Sequence, residues 1–253
     1  MMNRRKGIFR MKQNSMQWLG NDGFLLSDGE TVILTDPDLF NAERIWQVSG
    51  EALSRCSAAD FVCCTHAHED HFSTQTVQWL LSNSRCRFVL PKSCQAKAEQ
   101  IEGMCERAIF VQPGQCGKIG TIGYETIRAV HGHKQGTVYS GADLRDCGYV
   151  FLMNGQRLYQ PGDTLLLEEQ MEMEPVDVLF VSPTEHNTQV EHSLQLIEWL
   201  SPKTIVCQHF GTYEEPPVNF FWAHGYVKEL SDALMQMRKE QCTIPIPEKL
   251  YWI

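Results

Sequence analysis

Three histidines and an aspartate are crowded into Thr65-His66-Ala67-His68-Glu69-Asp70-His71. Imidazole and carboxylate donors together suit a divalent cation such as Zn, Mn or Fe. The cluster directly follows the apolar, strand-like run FVCCT at 61–65. At an extended strand end alternate side chains share a face, so His66 and His68 are expected to reach one ion. A turn into a helix, expected from His71 to Leu81, displaces Asp70 and His71 towards a second position close by. Glu69 fills the gap in the pattern and is expected to be solvated.

One loop cannot complete a site for two ions, so its partners must come from other strand ends. Three runs have the same layout of apolar strand followed by ligand. TIRAV leads into His131-Gly132-His133, RLYQPG into Asp163, and TIVCQ into His209. Strand ends are where sheet proteins gather functional groups from distant segments. VSPTEHN places Glu185 and His186 at another strand end. There His186 is either a rim group that touches substrate or an ordinary loop residue. His192 falls inside the helical pattern VEHSLQLIEWL, and His224 follows Phe220, Phe221 and Trp222. Both histidines are expected to be structural, and the aromatic cluster to be core or pocket wall.

The elements that must position these groups are legible from periodicity and turn signals. MQWLG, GFLLS and TVILTD read as strands separated by NDG and DGE turns. The segment 41–60 reads as helix or loop, followed by the FVCCT strand, a helix over 71–81 and the strand RFVLP. A short helix over 93–103 is expected to open on Ser93 as its N-cap. AIFVQ, KIGTIGYETIRAV and DCGYVFLMNGQRLYQPGD return to strand, and Asn154-Gly155 is the strongest hairpin signal in the chain. The last third alternates VDVLFVS, VEHSLQLIEWL, KTIVCQHF and YVKELSDALMQMRKE, strand with helix, and KLYWI closes as a strand. Two similar halves, each β-rich and then βαβα, imply an α/β fold of two sheets face to face with helices outside. NDGFLL is not the glycine-rich turn a Rossmann fold needs. One domain over 1–253 is expected.

Composition narrows the function. The chain has 253 residues and 43% hydrophobic content, enough to bury a large core without staples. Its 22 Lys+Arg against 31 Asp+Glu leave a net charge of -9, which argues against long nucleic acid as partner. No run is long and apolar enough to span a bilayer, and the first twenty residues lack a secretory apolar stretch. Ten scattered cysteines without a CxxC pair read as reduced thiols of a cytoplasmic protein.

Asp36 in LTDPDLF, THAHEDH, the histidine after TIRAV, Asp163 in QPGDT and His209 in CQHFGT occur in one order along nearly the whole chain. In that order they resemble the metallo-β-lactamase-fold hydrolase superfamily. WLGNDGFLL, PKSCQAKAEQIEGMCERAIFVQPGQ and PKTIVCQHFGTY are most similar to its L-ascorbate-6-phosphate lactonase-like branch. The resemblance implies a four-layer αββα sandwich and two divalent metal ions, Zn or Mn first and Fe as a further choice. It implies that His66, His68 and His131 hold one ion, that Asp70, His71 and His209 hold the other, and that Asp163 bridges them. Asp36 would support the His-rich loop by hydrogen bonds, a simple Asx-Pro turn being its alternative. His131 is preferred to His133 as the third-motif ligand because it directly follows the strand. His133 and Lys134 are left as substrate-binding candidates beside His186. The reaction implied is hydrolysis of a small, anionic ester or lactone such as a phosphorylated sugar acid lactone, with Asp70 orienting the nucleophile. The alternatives are a phosphodiesterase acting on a small nucleotide-type substrate and a non-hydrolytic metal or redox sensor. A di-iron redox member would be expected to carry a flavodoxin-like domain, for which the chain has no room. No membrane partner is expected, and a homo-oligomer is compatible with the sequence.

Overall fold

The computed structural model describes residues 13–215, 226–237 and 242–253. His224, Phe220, Phe221 and Trp222 lie outside the described residues. The first half supplies β1 (Ser15–Gly20), β2 (Gly23–Ser27), β3 (Val32–Thr35), β4 (Phe61–Cys63), β5 (Arg87–Pro91) and β6 (Ala108–Val111). The second supplies β7 (Cys116–Ile119), β8 (Ile122–Arg128), β9 (Cys147–Met153), β10 (Gln156–Gln160), β11 (Val178–Val181), β12 (Thr204–Cys207) and β13 (Cys242–Thr243). The last strand, β14 (Leu250–Trp252), crosses back and pairs antiparallel with β1, giving the order β14-β1-β2-β3-β4-β5-β6. The other sheet runs β13-β12-β11-β10-β9-β8-β7. Each sheet is antiparallel on one side and parallel on the other, the parallel strands being β3 to β6 and β10 to β13.

Strand periodicity builds the layers. Phe24 and Leu26 of β2 pack between the sheets with Tyr149 and Phe151 of β9, while Leu25 and Val150 point the other way. Leu25 meets α1 (Gly50–Ser57) and α2 (Thr74–Asn83) through Ala52, Cys56, Val77 and Leu80. The short α3 (Gln95–Ala98), α4 (Met104–Arg107) and α5 (Glu168–Met171) fill the loops. Val150 meets α6 (Gln189–Leu200) and α7 (Tyr226–Gln236) through Leu196, Leu200, Leu230 and Leu234. The result is a four-layer αββα sandwich. Asn154 and Gly155 join β9 to β10 with φ of 47° and 81°, the left-handed pair a type I′ hairpin requires.

Two local expectations are corrected. Ser93 does not cap a helix: it lies inside a 3-10 turn, Lys92–Cys94, and α3 opens on Cys94 without a side-chain cap. The helical run then breaks at Gly103, whose φ is +76°. The helix expected from His71 begins at Thr74 because the Ser73 hydroxyl accepts from Thr76 N and fixes the first turn there. All ten cysteines are free, the Sγ atoms of Cys207 and Cys242 standing 3.6 Å apart. Among the described residues no helix is long and apolar enough to cross a membrane.

Candidate metal centre

The His-rich segment is shaped by a carboxylate in the neighbouring loop. Asp36, fully buried after β3, accepts from Thr65 N and from Thr65 Oγ1, each at 2.7 Å, and from His71 Nδ1 at 3.0 Å. Because Thr65 donates its hydroxyl proton to Asp36, its oxygen is left to accept from His66 Nδ1 at 3.1 Å. Both imidazoles are thereby fixed with Nε2 turned away from Asp36, the arrangement by which an outer carboxylate orients a ligand. His71 N and Phe72 N both bond to His68 O, at 3.1 and 2.7 Å, so the segment turns instead of extending the strand as expected. That turn, and not alternation along β4, sets the His66 and His68 rings 4.6 Å apart. Lys97 Nζ clamps it from outside by donating to Ala67 O at 2.9 Å and Phe72 O at 2.6 Å. Glu69 is exposed, yet it is more than solvated: it pairs with Lys97 at 2.9 Å and accepts from Thr74 N and Oγ1 at the start of α2.

The other strand ends deliver their groups to the same place. Asp163, following β10, has Oδ2 3.2 Å from His131 Nε2 and 3.3 Å from His209 Nε2. Its Oδ1 lies 3.6 Å from His71 Nε2 and accepts from Asn187 Nδ2 at 3.1 Å. His131 donates Nδ1–H to Gly132 O at 2.7 Å, which keeps Nε2 in the cluster. Asp70 Oδ2 stands 3.3 Å from His71 Nε2 and 3.7 Å from His209 Nε2, and accepts from Asn21 Nδ2 at 3.1 Å. Ligand atoms of His66, His68 and His131 fall within 4.8 Å of one another, as do those of Asp70, His71 and His209. His66 Nε2 tests the fit of a cation: it is buried and has no hydrogen-bond partner, an orphan that a metal would satisfy.

His133 and Lys134 are not drawn in. Both are exposed on the loop after His131, and the His133 ring lies against Tyr139 at 6.2 Å. His186 goes the other way. It is buried, not at a rim: its Nε2 is 3.5 Å from Asp163 Oδ2, and its ring stacks on His131 at 5.6 Å. His192 sits half-buried within α6. Sequence reasoning passed over Asp22, whose Oδ2 accepts from Gln208 Nε2 at 3.0 Å and lies 4.0 Å from His71 Nδ1. It also passed over Asn187 and Asn21, which steady the two central carboxylates. The NDG segment served only as a turn signal, and Asn187 could have been noticed as the neighbour of His186.

The charges are strongly coupled. Burial opposes the charged form of both Asp70 and Asp163, but His71 and His209 outweigh it and hold both carboxyls well below their ordinary range. Burial likewise depresses His71 and His209, yet the surrounding carboxylates win. His71 rises well above its usual value, and Asp163 carries His209 up to about 9. His66 and His68 are pushed down by burial and by neighbouring imidazoles, which leaves them neutral and ready to donate a lone pair. Burial pushes the Asp22 carboxyl up against the pull of His209 and His71.

Gly162 lets Asp163 reach this place. Its φ is +63°, and a Cβ there would stand 2.5 Å from Thr65 Cβ, the residue that relays Asp36 to His66. Gly162→Ala is expected to destabilise the fold by about 2–4 kcal/mol, combining left-handed strain with overpacking, and to lower metal content as well. Urea denaturation of the metal-free protein checks it, and a loss under about 0.5 kcal/mol would show that the loop relaxes freely.

Two mixed sheets, clad in helices and gathering histidines and aspartates at their strand ends, define the metallo-β-lactamase class of folds. Residues 15–209 match the family profile described as a beta-lactamase superfamily domain, and the chain belongs to that family. It is 26% identical over 240 residues to a UPF0173 metal-dependent hydrolase of Heliobacterium modesticaldum, covering 85% of this chain and 90% of that one. It is 28% identical over 209 residues to a counterpart from Thermus thermophilus, covering 80% and 85% of the two chains. A metallo hydrolase of Ignicoccus hospitalis has the same fold, with a TM-score of 0.73 at 18% identity over 95% of this chain and 98% of that one. The protein is a metal-dependent hydrolase of the metallo-β-lactamase fold.

Proposed function

We propose that the protein hydrolyses a small ester or lactone at a dinuclear metal site. The observation that carries this is the position of Asp163 between the two groups of ligand atoms, one oxygen towards His71 and the other towards His131 and His209. A carboxylate can span two cations roughly 3.5–4 Å apart, whereas an imidazole offers one lone pair. His66, His68 and His131 would hold one ion, Asp70, His71 and His209 the other, with Asp163 shared and Zn or Mn, or else Fe, as the metal. When bound, such a pair would supply an acidified water and a polarising charge for the acyl oxygen. Asp36 keeps His71 and, through Thr65, His66 aimed at the ions. Asp70 is the more open of the two central carboxylates, its side chain 22% exposed against 2% for Asp163. It is therefore the group that orients the attacking water by accepting its hydrogen bond. His186, with Nε2 beside Asp163 and its ring 5.0 Å from His209, would steady the shared carboxylate from the side away from Asn187. His133 and Lys134 belong to the outer loop, where they would touch the far parts of a substrate. The lactone end of this range rests on the WLGNDGFLL and PKTIVCQHFGTY resemblances. The net charge of -9 favours a small molecule over long nucleic acid, and ten free thiols fit a cytoplasmic location.

Native purification is expected to yield close to two metal ions per chain, and a screen of lactones against phosphodiesters should find turnover among the former. His131→Ala should lose about 100-fold or more in kcat/KM together with metal, while His133→Ala stays within about tenfold. Elemental analysis without Zn, Mn or Fe, and no activation on adding them, would sink the reading. Equal losses in the two variants at equal metal content would remove His131 from the ligand set.

A further inference from the structure

Beside the histidine cluster lies a cavity of about 190 Å³ whose walls include His66, His68 and His131 on one hand and Ser93, Tyr139 and Asp146 on the other. It is smaller than the ~300–1,000 Å³ of drug-sized sites, so it suits the end of a compact substrate. No lysine or arginine lines it among the described residues. Asp143 also borders it, but its carboxylate is held by Arg145, with Nε at 2.9 Å and Nη2 at 2.6 Å.

Asp146 is different. The residue is 6% exposed and its backbone is fixed, N bonding to Asp143 O at 3.0 Å and O accepting from Ala129 N at 3.1 Å. Its carboxyl faces the Ser93 hydroxyl, and burial pushes it up to about 6, which leaves it mostly charged at neutral pH. The Ser93 hydroxyl, the Asp143 backbone N–H and the more distant His131 ring favour its charge but do not outweigh burial, so a donor in the cavity that it lines would stabilise the carboxylate further. Tyr139 adds an aromatic wall, 5.4 Å from the His131 ring and 5.9 Å from His68, a surface that attracts ammonium groups and repels anions.

We propose that this cavity binds the non-reacting end of the substrate through a hydrogen-bond-donating group, an ammonium or a hydroxyl, with Asp146 as the acceptor. A phosphate or carboxylate at that end would stand against Asp146, so the cavity selects against the anionic substrate expected from the sequence. The inference rests on the hydrolase reading above and names the substrate class of that same site. Ser93 and Tyr139 line the same cavity as Asp146 and bound the space that the donating group would enter.

The test compares metal-loaded wild type with Asp146→Asn on 4-nitrophenyl esters of 3-aminopropanoic, 3-hydroxypropanoic, propanoic and succinic acids. In wild type the amino and hydroxy esters should exceed the propanoyl ester by about tenfold or more in kcat/KM, with the succinyl ester slowest. Asp146→Asn should erase the amino advantage, leave much of the hydroxy advantage because an amide oxygen still accepts, and raise the succinyl ester about tenfold. Separately, 3-amino-1-propanol should raise the wild-type denaturation midpoint where sodium propanoate does not, and should fail to do so in Asp146→Asn. If all esters turn over but the succinyl ester ranks first, or the ranking ignores Asp146→Asn, the cavity inference is wrong and the hydrolase reading survives. If no ester turns over yet the amine stabilises wild type alone, the hydrolase reading fails and the cavity inference stands. No ester preference and no amine effect overturn the inference outright, and if the variant does not fold the wild-type ester ranking decides.

Discussion

Asp163→Asn is expected to give a folded protein that loses metal and falls in turnover by about three orders of magnitude or more, beyond the ~10–100-fold typical of a residue that only steadies a ligand. The substitution keeps the shape, and the amide can still present an oxygen to Asn187 Nδ2, now 3.1 Å from Asp163 Oδ1. What disappears is a charge with four imidazoles around it, His71, His131, His186 and His209, each with Nε2 within 3.6 Å. One neutral amide oxygen cannot serve both groups of ligand atoms, so the ion held by Asp70, His71 and His209 should be lost first. Elemental analysis beside near-UV circular dichroism separates metal loss from unfolding. Two metals per chain with near-native turnover would show that Asp163 is not shared between them.

The layered fold was legible because it depends on local pattern. The two-residue alternation in GFLLS puts Phe24 and Leu26 between the sheets and Leu25 outside, and Asn154-Gly155 could hardly be anything but a hairpin. The residues that converge at the strand ends were legible for a related reason. A polar donor placed where an apolar run stops has few neutral explanations, and His66, His68, Asp70, His71, His131, Asp163 and His209 all sit there. The return of β14 to pair with β1 was not legible, since Met16 and Tyr251 meet only through the closed architecture.

Three features of the site escaped for physical reasons. His186 looked like a rim residue because its strand end resembles any other, but the approach of its loop to Gly132, where a Cβ would stand 2.4 Å from His186 O, brings it inside. Asp22 belongs to a hairpin turn by composition, and only the pairing of β2 with β3 and the arrival of Gln208 reveal it as buried. Tyr139 lies in a loop with no periodicity at all, and Asp146 opens a run that reads simply as strand. Their relation to His68 and His131 exists only once both sheets are in place. Ser93 shows the converse error, a good capping residue used instead against a buried carboxyl.

The second large effect concerns protons. In the metal-free protein His71 and His209 are protonated at neutral pH: against burial, Asp70, Asp163 and Asp36 hold His71 well above its ordinary value, and Asp163 with Asp22 holds His209 at about 9. A metal needs both imidazoles as lone-pair donors, so loading the ion of Asp70, His71 and His209 must expel two protons. Among the ligands of the other ion, His66 and His68, already depressed, release none, while His131, which Asp163 raises against burial, adds to the protons released when that ion loads. Below the raised values each displaced proton makes the apparent affinity rise about tenfold per pH unit, so two give about 100-fold per unit between pH 6 and 8. The sign follows from the direction of the shift: raised histidines favour protons at low pH and so weaken metal binding there. Calorimetric titration of the metal-free protein in two buffers of different ionisation enthalpy counts the protons, and the affinity measured at pH 6, 7 and 8 gives the slope. His209→Ala should lower both the proton count and the slope by about one, at the cost of weaker binding overall. A pH-independent affinity with no proton release would mean that His71 and His209 are neutral in the metal-free protein, and that Asp70 and Asp163 are not holding them charged.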